Sequence, residues 1–309
     1  MHIWQYLLYS TAFCFTDFAT LAQQNFIDSS TKPEVFGPNI ISTPYTEWST
    51  TFTPDGNTVY FSQGAIYCTI CFSKKVNGYW TKPQVANFSG LWRDTDPFIS
   101  PDGSKIFFSS NRPIERDRMK PEKTFQLWYV DHISADEWSA PKYLDSPVNL
   151  RGINSAGPSV SENGTLYFCS VNRDGHPGWG SFSSRWNGRE YEKPILLKIE
   201  GAETMMDPFV SFDEKYLIFA SGNDLYISFK KNKDWSRAIK LPTSVNNGNA
   251  NQSPSVSRDG KILYYSSARD RGFYQRNVKG KPLNYDELVT EMQSLFNGGF
   301  NILMVPINL

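Results

Sequence analysis

The stretch Asp96–Ser110 reads Asp-Pro-Phe-Ile-Ser-Pro-Asp-Gly-Ser-Lys-Ile-Phe-Phe-Ser-Ser. Two short apolar segments flank its Pro-Asp-Gly turn. Asp-Gly supplies the positive φ that a tight hairpin needs, and aromatic and β-branched residues favour strands. The stretch therefore predicts a β-hairpin.

This pattern recurs along the chain, with a short apolar segment on each side of every turn. The five turns are Thr53-Pro54-Asp55-Gly56, Ser100-Pro101-Asp102-Gly103, Ser161-Glu162-Asn163-Gly164, Ser211-Phe212-Asp213-Glu214 and Ser257-Arg258-Asp259-Gly260. Repeats with a fixed period of roughly 50 residues are typical of propellers and solenoids. The chain is therefore expected to be modular.

Two further strands are expected to complete each unit. The third strands are predicted at Ile66 to Phe72, Leu127 to Val130, Ser181 to Ser183, Leu225 to Phe229 and Ile302 to Val305. The fourth strands carry an aromatic residue at Trp80, Trp138, Tyr191 and Trp235. Four antiparallel strands in each unit are typical of a propeller blade.

The fifth unit ends at Leu309 without a fourth strand, but Thr31-Lys32-Pro33-Glu34-Val35 resembles the fourth-strand segment Thr81-Lys82-Pro83-Gln84-Val85. Closing the ring with this N-terminal strand would remove exposed sheet edges. We predict an all-β, five-bladed β-propeller of four-stranded blades, with six blades as the alternative.

One short helix is predicted within the last blade. Asn284 is placed as its N-cap and Glu287 as the capping-box partner, and Asn297-Gly298-Gly299 is read as its C-terminal stop. We expect the helix to pack across a blade edge or over one mouth of the channel. A solvent-exposed face of Leu288, Met292 and Leu295 would instead indicate a partner site.

The repeats resemble the WD40-like, Pro-Asp-Gly-containing repeats shared by the propeller of the periplasmic protein TolB and secreted bacterial relatives. The likeness runs from Pro33 to the C-terminal end, and Asp224-Leu225-Tyr226 and Ser267-Ala268-Arg269 follow its pattern closely. It implies an exported protein in the cell envelope or outside the cell. The resemblance does not indicate a particular enzymatic reaction, because propellers serve many functions.

Composition narrows the function classes. The 31 basic residues equal the 31 acidic residues, so nucleic acid and anionic membranes are not expected partners. The apolar stretch Met1–Ala22 predicts a signal peptide, followed by one propeller domain over residues 23–309. No later segment approaches the ~18 apolar residues of a membrane span. A secreted or periplasmic monomer is the expectation.

Carboxylates at the start of the inner strands are the first candidate site. Aligned on the turns, Asp96 and Asp207 occupy one position, while Glu47 and Asp94 occupy another two residues earlier. Near the propeller axis they would bind a structural Ca²⁺, act as the acid and base of glycoside chemistry, or cap strand ends around a water-filled channel. These three interpretations remain open at this point.

The second candidate is the glycine-rich loop Asn172–Gly180, in which His176 and Trp179 lie close together. An exposed Trp on a loop stacks on sugars or anchors peptides, unless it folds back on the blade edge. No known catalytic motif is present, so whether the protein is an enzyme stays open. We expect a scaffold that binds a protein, glycan or cell-wall ligand through one face. The alternative is a carbohydrate-active enzyme, a glycoside hydrolase or lyase, that uses Asp96, Asp207 and Glu47.

Overall fold

The computed structural model describes residues 26–115, 119–270 and 282–309. The predicted signal peptide, Met1–Ala22, lies outside the described residues. Export and its cleavage site therefore stay predictions.

The described residues form five antiparallel sheets, each of which is one blade. The first strand is β1 (Glu34–Val35). Blade 1 contains β2 (Glu47–Phe52), β3 (Thr58–Gln63), β4 (Thr69–Val76), β5 (Tyr79–Trp80) and β6 (Gln84–Val85). Blade 2 contains β7 (Asp94–Ile99), β8 (Lys105–Ser110), β9 (Gln126–Ser134), β10 (Glu137–Trp138) and β11 (Lys142–Tyr143). Blade 3 contains β12 (Ser155–Val160), β13 (Leu166–Val171), β14 (Trp179–Ser184) and β15 (Ile195–Leu196). Blade 4 contains β16 (Met206–Val210), β17 (Tyr216–Ser221), β18 (Asp224–Lys231), β19 (Asp234–Trp235) and β20 (Ile239–Lys240). Blade 5 contains β21 (Ala250–Val256), β22 (Ile262–Asp270), α1 (Tyr285–Met292) and β23 (Asn297–Pro306).

The predicted five-bladed propeller is confirmed, and so is its closure. Strand β1 pairs antiparallel with β23, with Glu34 opposite Met304 and Val35 opposite Leu303. The fifth sheet therefore has the order β1-β23-β22-β21. The N-terminal strand supplies the fourth strand that the last repeat lacks.

The repeated turn is held by its own side chains. In blade 2, Ser100 Oγ donates to Asp102 Oδ1 at 2.6 Å, and the same oxygen accepts from Ser104 N at 3.0 Å. Gly103 then takes a φ of +75°. Blade 4 has Glu214 in place of glycine, yet Glu214 adopts a φ of +56°. The hydrogen-bonded turn therefore imposes the left-handed conformation even on a residue that rarely adopts it.

The second strand of each blade carries adjacent bulky residues that are both buried, such as Phe107 with Phe108 and Tyr167 with Phe168. Each blade packs between two others, so both of its faces lie in the core, and the strand reads as a continuous apolar run rather than an alternating one. This explains the high aromatic content.

Two predicted boundaries were wrong. The third strand of blade 1 begins at Thr69, not Ile66, and Cys68 turns the chain with a φ of +43°. The helix ends at Met292, and Asn297-Gly298-Gly299 opens β23 instead of stopping the helix. The predicted capping box is present: Glu287 N donates to Asn284 Oδ1, and Asn284 N donates to Glu287 Oε2, both at 2.9 Å.

The ring has two different ends. The loop face is the end at which the inner strands β2, β7, β12, β16 and β21 begin. The connections between second and third strands also lie there, including α1 and the loop after Val171. The turn face is the opposite end, which carries the five repeated turns. Variation between blades in loop length is concentrated on the loop face.

Candidate functional site

A ring of five equivalent residues surrounds the central channel. These residues are Ser49, Asp96, Gly157, Asp207 and Ser253. All five have a φ between +50° and +59°, and each inner strand shifts register there through a β-bulge. Bulges re-aim side chains and often lie near functional sites, but a bulge in every blade belongs first to the architecture.

Asp96 is tied into this ring by several donors. Its Oδ1 accepts from Ser49 Oγ at 2.9 Å, and its Oδ2 accepts from Ser109 Oγ at 3.1 Å. The backbone N–H of Gly157 lies 3.4 Å from the same Oδ2. The carboxylate therefore joins blades 1, 2 and 3.

Asp207 lies on the other side of Gly157. Its Oδ2 accepts from the backbone N of Ser253 at 3.0 Å and from Ser253 Oγ at 3.1 Å. Burial and the nearby Asp96 carboxylate raise the pKa of Asp207 to about 6. Asp96 and Asp207 thus come together, as the sequence predicted.

The channel between them is narrow, with a volume of about 40 Å³. A water molecule needs roughly 10–15 Å³ of such space, so the channel has room for only a few waters. At the turn face, Arg258 of blade 5 reaches the carbonyl oxygens of Pro101 at 2.8 Å and Ser100 at 3.0 Å in blade 2. A sugar ring does not fit between the two aspartates.

Glu47 does not reach the channel. Its side chain is buried beneath the loop face, where Oε2 accepts from Thr43 N at 2.8 Å and Oε1 accepts from Gln63 Nε2 at 3.3 Å. Burial raises the pKa of Glu47 to about 7. Glu47 therefore holds the segment before β2 and is separate from the Asp96 and Asp207 pair.

Asp94 likewise forms part of the structural framework of its blade. It is fully buried, and its Oδ1 accepts from Arg112 Nη2 at 2.6 Å. Arg112 also donates to the carbonyl oxygen of Phe88 and stacks on Phe108. The expectation that Glu47 and Asp94 converge with the channel aspartates is therefore wrong. Both residues begin an inner strand, as the alignment predicted, but the side chain of each binds a partner within its own blade.

His176 and Trp179 lie on the loop face of blade 3. Trp179 is the first residue of β14, opposite Val171, and is half-buried instead of exposed on a loop. The His176 ring nitrogen Nε2 lies 3.3 Å from the carbonyl oxygen of Trp179 and covers Gly180. The geometry matches the folded-back interpretation of Trp179.

An apolar patch on the loop face was missed by the sequence reasoning. It consists of Tyr45, Ile66, Tyr67, Val85 and Met292. The first four border an open pocket of about 560 Å³, and Ile66 and Tyr67 are 77% and 80% exposed. Because Ile66 and Tyr67 were predicted to lie in the third strand of blade 1, their exposure on a loop was not expected. The available signal was Gly64, two residues before Ile66, because glycine often marks a turn or the end of a strand.

Met292 extends this patch from the helix. The Asn297 side-chain amide donates to the carbonyl oxygen of Met292 at 2.8 Å and to that of Pro44 at 3.0 Å. One side chain therefore joins the end of α1 to the residue before Tyr45. Met292 is exposed, while Leu288 and Leu295 are half-buried.

In residues 26–115, 119–270 and 282–309, no three His, Cys, Asp or Glu side chains are grouped so as to hold a metal ion. In the same ranges, no helix has the length and apolar character needed to cross a bilayer. The structural Ca²⁺ considered from the sequence stays a prediction.

The sequence matches no family profile and no curated protein. Its fold is similar to an α-L-arabinofuranosidase from Lactobacillus brevis, with 14% identity and a TM-score of 0.56 over 87% of this chain and 92% of that chain. A GH43 endo-arabinanase from Bacillus licheniformis matches with 11% identity and a TM-score of 0.54 over 88% and 96%. TolB from Acinetobacter baumannii matches with 14% identity and a TM-score of 0.48 over 93% and 65%. These identities show the propeller fold alone, and the third match is too distant to carry an argument. The resemblance to WD40-like repeats stays a prediction.

Proposed function

We propose that this chain is an exported, non-enzymatic propeller that binds a protein partner through its loop face. The observation that carries the proposal is the apolar patch, where Ile66 and Tyr67 stand 77% and 80% exposed beside an open pocket of about 560 Å³. Apolar side chains that cluster at one place on a surface are typical of protein interfaces.

The chemistry of the patch suits a protein. Tyr45 and Tyr67 offer large, rigid rings with a hydroxyl, and tyrosine is one of the residue types enriched at interface hot spots. Ile66, Val85 and Met292 surround them without a charge. The patch is formed by separate segments of blades 1 and 5, and Asn297 joins two of them, the end of α1 and the residue before Tyr45. This part of the surface is therefore prearranged.

Site-specific photo-crosslinking in the native host tests this function. A photoreactive side chain at position 66 should give a discrete protein adduct, and Tyr67→Ser should weaken it. The matched control is position 195, since Ile195 is 71% exposed but lies in β15, away from the patch. Identical adducts at both positions, or none at position 66, would overturn the proposal.

Mass analysis of the adduct separates the possible occupants. An adduct of twice the chain mass would identify a second copy and contradict the expected monomer. For export, fractionation of the host should place the chain outside the cytoplasm, and sequencing of the mature N-terminus should begin at Gln23.

A glycoside hydrolase is the second candidate, favoured by Asp207, whose pKa is raised to about 6 beside Asp96. A carboxyl group with a pKa of about 6 keeps a protonated fraction close to neutral pH and is able to act as a general acid. The channel volume of about 40 Å³ and the hydrogen bonds of both aspartates oppose it. Hydrolysis of arabinan by the wild type, lost in both Asp96→Asn and Asp207→Asn, would establish the enzyme and displace the leading proposal.

A further inference from the structure

A large cavity lies on the turn face, between blades 2 and 3. Its volume is about 600 Å³. Apolar side chains, including Leu144 and Val160, line it together with the aromatic residues Tyr129, Tyr191 and Trp186. Small-molecule sites are typically concave, mainly apolar and roughly 300–1,000 Å³ in volume. We call this cavity the aromatic groove.

Trp186 is peculiar to blade 3. In the other blades with a fourth-strand aromatic residue, its cross-strand partner is Lys75, His132 or Lys230. Those partners cover the rings of Trp80, Trp138 and Trp235, at 5.9, 5.0 and 4.5 Å between group and ring centre. In blade 3 the partner of Tyr191 is Trp186. A repeat that elsewhere uses a basic side chain therefore has a second aromatic ring here.

The Trp186 ring is held in place but not covered. It meets Tyr191 edge to face, with ring centres 5.0 Å apart. Its Cβ lies over Gly164, where an added Cβ would come within 3.1 Å. The side chain is nevertheless 40% exposed. Packing fixes the orientation of the ring while one part stays open, which lowers the entropy cost of binding a ligand against it.

Polar groups border the aromatic rings. The carboxylates of Asp102 and Glu162, together with Lys105, belong to the lining of the groove. The Lys105 ammonium group is paired with Asp131 and lies 5.1 Å from the centre of the Tyr129 ring. Arg258 interacts electrostatically with both carboxylates, and Lys142 shares Asp131 with Lys105. The charges around the rim are therefore balanced and offer an anionic ligand little net attraction.

We propose that the aromatic groove binds a short neutral oligosaccharide. The apolar C–H face of a sugar ring packs on the exposed part of Trp186, and its hydroxyl groups donate to the carboxylates of Asp102 and Glu162. The groove is concave and of small-molecule size, whereas a protein interface buries roughly 800 Å² on each partner. This site lies on the opposite end of the ring from the apolar patch and does not depend on it.

Calorimetric titration of the purified chain with short cello-, xylo-, manno-, arabino- and chito-oligosaccharides tests the proposal. At least one neutral series should bind, and a polygalacturonate fragment should not. Trp186→Ala should weaken binding at least tenfold, and Trp186→Phe should restore most of it. Glu162→Gln should weaken binding severalfold.

The matched control is Trp179→Ala, which removes the same residue type from the loop-face end of the same blade. It should leave oligosaccharide binding unchanged, as should Ile66→Ser in the apolar patch. The groove proposal is overturned if no neutral saccharide binds, if Trp186→Ala binds as the wild type does, or if Trp179→Ala loses binding instead. Retention of a short peptide library by the wild type, lost in Trp186→Ala with no saccharide bound, would make the groove a peptide site and also overturn it.

Discussion

The central channel and the aromatic groove use their side chains in opposite ways. In the channel, Asp96 and Asp207 stand at positions that recur in all five blades, and their oxygens accept hydrogen bonds from neighbouring blades. In the groove, Trp186 takes the position that Lys75, His132 and Lys230 hold in blades 1, 2 and 4, and it stays 40% exposed. Side chains at the repeated channel positions hold the ring together, and a residue that departs from the repeat is where we propose that a ligand binds.

Replacing Trp138 should have the largest effect, since it tests whether repeated aromatic residues carry stability. Trp138 is 4% exposed, and its Nε1 donates to Tyr60 Oη at 2.8 Å. Trp138→Ala leaves a cavity and an unsatisfied hydroxyl, so the free energy of unfolding should fall by about 3–5 kcal/mol. Urea denaturation measures it, and a loss below about 1 kcal/mol would break the comparison.

Glu47 tests whether an acidic residue buried in the framework makes the stability of the protein depend on pH. Its pKa is raised from 4.5 to about 7, so the folded state binds more protons than the unfolded state between these values. Stability should therefore fall as pH rises through this window, by up to about 3 kcal/mol, and level off above it. Glu47→Gln should flatten the denaturation series between about pH 6 and 7. Below about pH 6 a slope of the same sign should remain, because the pKa of Asp207 is also raised. Glu203→Gln, at an exposed position, should keep the full slope.

Gly157 tests how closely the channel is packed. An added Cβ would lie 3.1 Å from both Asp207 Cα and Asp207 Oδ1, at a φ of +59°. Gly157→Ala should lower the free energy of unfolding by about 2 kcal/mol through strain and crowding. Gly175 has a φ of +81° with nothing within 4 Å, so Gly175→Ala should cost only about 1 kcal/mol. Equal losses in thermal unfolding would show that the channel is not crowded.

Trp186 should give the smallest effect on stability. Because the ring is 40% exposed, Trp186→Ala should lower the free energy of unfolding by less than about 1 kcal/mol in the denaturation assay used for Trp138. A loss as large as that of Trp138→Ala would place Trp186 with the framework and remove the distinction between the two aromatic residues.

The fold was predictable from the sequence because its determinants are local and repeated. Each turn is stabilised by hydrogen bonds from its own side chains. The segment Thr31–Val35 has the pattern of a fourth strand, and the last repeat was the one that lacked such a strand. The two wrong boundaries had local causes: the β-propensity of Ile66 and Tyr67 was overridden by a turn, and Asn297-Gly298-Gly299 entered a strand that pairs with β22.

The sites were less predictable because they depend on which partner each side chain finds. Aligning the repeats on their turns correctly predicted that Asp96 and Asp207 share one channel. The same alignment could not show that Arg112 pairs with Asp94 or that Thr43 donates to Glu47. Trp186 was visible in the sequence as Trp before Asn187-Gly188. Its significance appears only when the cross-strand partners of the blades are compared, and that requires the pairing of strands.

The closure of the ring also sets an order of events during folding. Ser42, just after β1, donates to the carbonyl oxygen of Ile302, a residue 260 positions away along the chain. Chains fold from the N-terminal end as they are made, and contacts between distant segments form slowly. Four blades can assemble while β1 still lacks its partner, because β23 follows every other described strand in the chain. We therefore expect β1 to be among the last of these strands to pair.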